Sequence, residues 1–167
     1  SIETIDGLVK HNGKVLNQDK FNSILGKNFF KNKINYLKSP SLEAQLAAIS
    51  DDIAYNSHDL EDGLRAKLYT IEDLKNIPVL SKIIDKHKKF IKLKGSELVL
   101  RQIIRSIINE MVNDIITNTK NNIKKQKIKS LKDIYNSKIL LVSFSNQMKK
   151  FDVSIKSFLR ERMYYSK

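Results

Sequence analysis

The sequence predicts an all-α protein. Apolar residues recur at helical spacing along much of the chain, only 2 Pro and 5 Gly punctuate its 167 residues, and the prolines stand where helices begin. At this length and 41% hydrophobic content it is expected to form one domain, residues 1–167, with a real core.

Taken in order, Ser1 to Lys10 reads as a short amphipathic helix stopped by Asn12-Gly13. Residues 17–38 are rich in Lys, Asn and Phe and only weakly patterned. Ser39-Pro40 reads as the N-cap and first residue of the next helix, where the missing proline N–H costs nothing. Pro78 begins another helix that reaches about Lys94, and Gly95-Ser96-Glu97 separates it from the longest, about 97–120. There the pairs Val99-Leu100, Ile103-Ile104, Ile107-Ile108, Met111-Val112 and Ile115-Ile116 make a stripe too broad for anything but core. A lysine-rich connector at 120–129, Leu131 to Tyr135 and a final helix from Asn146 to Tyr165 follow.

The composition excludes several classes. Without Cys there is no disulfide scaffold, thiolate metal site or cysteine nucleophile. No apolar run approaches the roughly 20 residues of a membrane span, and no basic-apolar leader opens the chain. A cytoplasmic protein is expected. The chain does not begin with Met and reads as a piece of a longer one. Its net charge of +13 suggests polyanion binding, but Lys outnumbers Arg 26 to 5 beside 22 Ile and 15 Asn. AT-rich coding produces that combination whatever the function, so a solvated lysine surface with weak nucleic-acid binding is expected.

Against that background residues 41–64 stand out, with six carboxylates and no Lys or Arg. At 100° per residue, Leu42, Leu46, Ile49, Ile53, Leu60 and Leu64 form one apolar stripe, read as core. Asp51, Tyr55, His58, Asp59 and Asp62 gather on the opposite side with Ala44 and Ala48, small residues that permit close approach. Crowded carboxylates repel unless a cation or proton lies between them, and Asp oxygens and His nitrogen suit Mn, Fe or Mg. By spacing alone the site is incomplete. His58 and Asp59 point about 100° apart, and no second His lies one turn away. His11 and His87 sit in unrelated segments and read as surface polar residues.

The segment Glu43-Ala44-Gln45, then Asp51-Asp52-Ile53-Ala54-Tyr55, then His58-Asp59-Leu60-Glu61-Asp62-Gly63 resembles the "EAQ, DDIAY, HDxxDG" run of bacterial deoxynucleoside triphosphate triphosphohydrolases. These are the dGTPase-like members of the HD-domain phosphohydrolase superfamily. Glu3 to Gly13 resembles the family's "ETLEGLVKHNG", and Phe158-Leu159 with Tyr164 is similar to its final "FLxxxxY" helix. The resemblance implies the helical C-terminal part of an HD-domain-type phosphohydrolase. It implies Asp51 as the last protein ligand of a divalent metal of Mn, Mg or Fe type, Tyr55 as a ring contact to nucleotide, and Asp59 as a contact to a sugar hydroxyl. His58 and Asp62 would support the site, and Lys10, Arg101 and Arg105 are candidates for phosphate, weighed against plain surface roles.

The family's upstream "H, then HD" ligands and catalytic histidine have no counterpart here. The resemblance therefore implies that the intact protein hydrolyses a dNTP to deoxynucleoside and tripolyphosphate, while this segment holds no catalytic residue. A homo-oligomer is expected. The rivals are a non-catalytic module binding polyanions through Lys120 to Lys132, and an oligomerisation module using the Ile stripe. Neither accounts for the exclusion of cations from 41–64.

Overall fold

A computed structural model describes residues 1–17, 23, 34–91 and 96–165, and among these the fold is all-α with no strand. The helices are α1 (Ile2–Val9), α2 (Leu42–Arg65), α3 (Ile71–Leu74), α4 (Pro78–Ile91), α5 (Ser96–Lys125), α6 (Leu131–Asn136) and α7 (Asn146–Leu159). A π-helical turn, Arg160–Tyr164, continues α7. Most of the weakly patterned 17–38 stretch and Gly95 lie outside the described residues. No described helix is long and apolar enough to cross a membrane.

The chain divides into two compact units, Ser1–Asp51 with Thr117–Ser143, and Asp52–Ile116 with Phe144–Lys167. In the first, Ser1 caps α1 by accepting the Thr4 N–H at 3.2 Å, and Gly13 takes a φ of +105° where the chain turns away. Val9, Val15, Ile34 and Tyr36 form a small buried cluster flanked by Ile2 and Ile5. Helix α2 begins two residues later than Ser39-Pro40 suggests, with Ser41 accepting the Ala44 N–H at 3.2 Å. Ser39 is taken up elsewhere: its hydroxyl donates to the Ser137 carbonyl at 3.1 Å and its N–H to that of Tyr135 at 3.0 Å.

The second unit owes its core to helical periodicity. Ile103, Ile107 and Met111 are fully buried along α5, as are Leu74, Leu80, Ile84 and Leu60 from α3, α4 and α2. The Ile stripe is thus core for most of its length, although Val112 and Ile116 are exposed. Ser145 caps α7 and its hydroxyl donates to Asp114 of α5 at 2.6 Å. Thr70 with Asp73, and in the first unit Ser130 with Asp133, form reciprocal capping boxes on the short helices α3 and α6.

The buried side of α2 differs from the apolar stripe read from the sequence. Leu46 is 50% exposed, and polar Gln45, Asn56 and Ser57 are buried. Gln45 and Asn56 can be buried because hydrogen bonds compensate their desolvation, which an apolar pattern does not register.

Candidate functional site

In the first unit, the carboxylate of Asp51 is exposed and makes no hydrogen bond or ion pair with any described residue. Ala44, expected to leave room for an incoming group, is buried instead and lies against Gly7 of α1, where an added Cβ would stand 3.4 Å from its own. Lys10, weighed as a surface residue or a phosphate contact, is 1% exposed and ion-paired with Asp6 at 2.5 Å, its ammonium 5.9 Å from the Tyr135 ring centre. One turn of helix sets Asp6 beneath Lys10, and burial makes each the other's compensation. His11 is exposed, as the sequence suggests, and donates to the Leu8 carbonyl at 2.6 Å.

Gln45 explains why an uncharged polar residue lies in the motif. Its amide donates to the Pro40 carbonyl at 2.8 Å, and its Oε1 accepts the N–H groups of Leu141 and Val142 at 2.8 and 3.0 Å. One side chain thereby ties the irregular 137–143 segment to α2.

In the second unit, exposed Asp52 has a partner where Asp51 has none among the described residues. Lys156 of α7 pairs with Asp52 at 3.3 Å and with Asp152 at 3.0 Å, and Asp152 also accepts the buried Asn56 amide at 2.9 Å. The two adjacent aspartates are both exposed and differ in one respect: Asp52 has a lysine partner, and Asp51 has none among the described residues.

Tyr55, 60% exposed, and Asp59 lie one turn apart on the same face of α2. The phenol of Tyr164, from the π-helical turn, donates to Asp59 Oδ2, a contact spanning 105 residues of sequence. Desolvation first, then the hydrogen bond to Asp59 and the neighbouring Tyr55 hydroxyl, push its phenol well above the usual tyrosine range. Sequence reasoning noted Tyr164 only as the end of a similar motif, and no spacing rule could pair it with Asp59.

The Asp59 backbone is held from behind. The Tyr69 hydroxyl donates to the carbonyls of Asp59 and Leu60, both at 3.2 Å, and its ring meets Phe158 edge-on with centroids 4.8 Å apart. Gly63 makes this possible, since a Cβ there would fall 2.3 Å from the Tyr69 hydroxyl. Burial first, then the charges of Asp59 and Asp62, raise the Tyr69 phenol far above its ordinary range. It remains a hydrogen-bond donor throughout the physiological range.

His58 and Asp62 are exposed and make no side-chain hydrogen bond with described residues. Arg101 pairs with Glu97 at 2.8 Å. Arg105 lines an open groove of about 530 Å³ between α4 and α5, together with Lys86, His87 and Ser106. His87 is half-buried, not a plain surface residue, and its Nε2 lies 3.0 Å from Ser106 Oγ. Among the described residues no three His, Asp or Glu side chains converge to hold a metal. Asp51 alone offers one donor, and a divalent ion needs at least four ligands, so the described residues do not by themselves fit one.

No family model matches the chain. Over all 167 of its residues it is 48% identical to a deoxyguanosinetriphosphate triphosphohydrolase-like protein of Pelagibacter ubique, of which it spans 45%. Proteins of the same name from Bartonella tribocorum and Rickettsia rickettsii are 38% and 33% identical, each over 98% of this chain and 42% of their own length. The chain is homologous throughout to deoxyguanosinetriphosphate triphosphohydrolase-like proteins and spans somewhat less than half of them, consistent with their C-terminal part.

Proposed function

We propose that this chain is the C-terminal helical part of a metal-dependent dNTP triphosphohydrolase, to which it contributes one metal ligand and the sugar-side contacts of the nucleotide site. Asp51 is the ligand, and the remaining ligands and the acid–base groups come from the preceding half of the protein. Tyr55 offers a ring face and Asp59 a carboxylate acceptor for a sugar hydroxyl, and the intact protein converts dNTP and water to deoxynucleoside and tripolyphosphate. The observation that carries this reading is the contrast between the two adjacent aspartates. Both are exposed, but Asp52 ion-pairs with Lys156, while Asp51 has no partner among the described residues, as suits a donor whose partner is an ion. Support comes also from similarity over the whole chain to a deoxyguanosinetriphosphate triphosphohydrolase-like protein.

The test is made in the full-length protein. Asp51→Ala is expected to remove at least about a hundredfold of metal-dependent dNTP hydrolysis and to lower the bound metal, as loss of a direct ligand does. Helical circular dichroism should be unchanged. Near-normal turnover with bound metal in Asp51→Ala would reduce the acidic face to ordinary surface.

A further inference from the structure

We infer that Tyr164 is a positioning residue for the nucleotide site, its phenol holding the Asp59 carboxylate in the orientation that receives a sugar hydroxyl. The inference rests on the assignment of Asp59 proposed above and adds a residue from the far end of the chain to that site.

The geometry supplies three constraints. The main chain at Asp59 is fixed, because Tyr69 donates to its carbonyl and to that of Leu60 while docked over Gly63. The carboxylate is not fixed by this, since an Asp on a helix surface retains more than one staggered rotamer. No lysine or arginine forms an ion pair with it among the described residues, so the Tyr164 hydroxyl is its one described side-chain anchor. That donor engages Oδ2 and leaves Oδ1 free to accept, which is what recognition of a hydroxyl requires.

Tyr164 is itself placed with care. After the α-helical course of α7 the chain widens into the π-helical turn, with the Tyr165 N–H donating to the Arg160 carbonyl at 3.1 Å. Leu159, 1% exposed, anchors the turn from inside, and Arg162 reaches Asp73 of α3 at 3.4 Å. Single π turns are uncommon and occur often at functional sites. This one sets a phenol against the only carboxylate of α2 that accepts a tyrosine hydrogen bond among the described residues.

A purely structural tie would act on stability, whereas a positioning residue acts on substrate affinity. In the full-length protein, Tyr164→Phe removes one hydroxyl and keeps the ring. It is expected to raise KM for dNTP about tenfold, the scale of a lost hydrogen bond to a charged group. The turnover number and thermal midpoint should stay near wild type. Asp59→Asn is measured beside it, and the double variant should be little worse than Asp59→Asn alone, because the two groups act as one unit. If Asp59→Asn raises KM and Tyr164→Phe does not, the positioning role is overturned and the site assignment stands. If Asp59→Asn leaves KM unchanged, the assignment of Asp59 falls and this inference with it. Additive losses in the double variant would likewise overturn it. The present chain gives a reading free of catalysis: with carbon-13 at the tyrosine ring carbon bearing oxygen, Tyr164 should titrate above the ordinary tyrosine range and return toward it in Asp59→Asn. Identical titration in both proteins would overturn the contact.

Discussion

Gly63 shows how much one missing methyl group can decide. In a helix interior, replacing Gly with Ala ordinarily stabilises by about 0.5 to 1 kcal/mol. Here the new Cβ would strike the Tyr69 ring at 2.3 to 2.5 Å, and that ring is buried and hydrogen-bonded on the α2 backbone. Gly63→Ala is therefore expected to destabilise by about 1 to 3 kcal/mol, reversing the sign that propensity alone gives. Urea denaturation decides it, since a more stable Gly63→Ala protein would mean that Tyr69 moves aside freely. The sequence showed Gly63 only as a letter in a motif, because the residue it accommodates is defined by tertiary docking. Gln45 was invisible for a related reason. Its Ala variant would leave two buried N–H groups at Leu141 and Val142 without acceptors, at about 1 to 3 kcal/mol each. A loss of stability below about 1 kcal/mol on Gln45→Ala would show that water replaces the side chain there.

Among elements, the long helices were legible and their edges less so. The apolar pairs of α5 announced a core helix, and Pro78 begins α4 as its chemistry dictates. The start of α2 shifted because the hydrogen bonds of Ser39 go to residues 135 and 137, a competition that local capping rules do not contain. The shortest elements survive by capping. In α6 the Asp133 carboxyl is held below the usual carboxylate range, first by the Lys129 N–H and next by the Ser130 hydroxyl. A depressed acid gives up its proton more readily when folded, so its contribution is complete above the unfolded value near 4 and fades as pH falls through the folded one. Asp133→Asn should accordingly be less stable at neutral pH and lose less of its remaining stability between about pH 4 and pH 2. Parallel stability curves for the two proteins across that window would contradict the capping role.

For the whole molecule, the net charge of +13 argues for contact with polyanions, and its chemistry argues for a weak one. Exposed lysines release counterions without reading bases, so binding to random DNA should fall steeply between about 50 and 200 mM salt. Sub-micromolar binding that persists at physiological salt would instead mark a built surface. The acidic face was the most legible part of the candidate site, because composition alone exposes a stretch without cations. Its support from Tyr69 and Tyr164 was not, since both reach it from other elements. The same absence of cations has an analytical consequence. Trypsin cuts only after Lys and Arg, and nothing interrupts the chain between Lys38 and Arg65. Asp51, Tyr55, His58, Asp59 and Asp62 therefore leave together on one peptide, Ser39 to Arg65. Carboxylate footprinting by mass spectrometry could follow the entire face on a single fragment, with exposed Asp52, ion-paired to Lys156, read beside exposed Asp51.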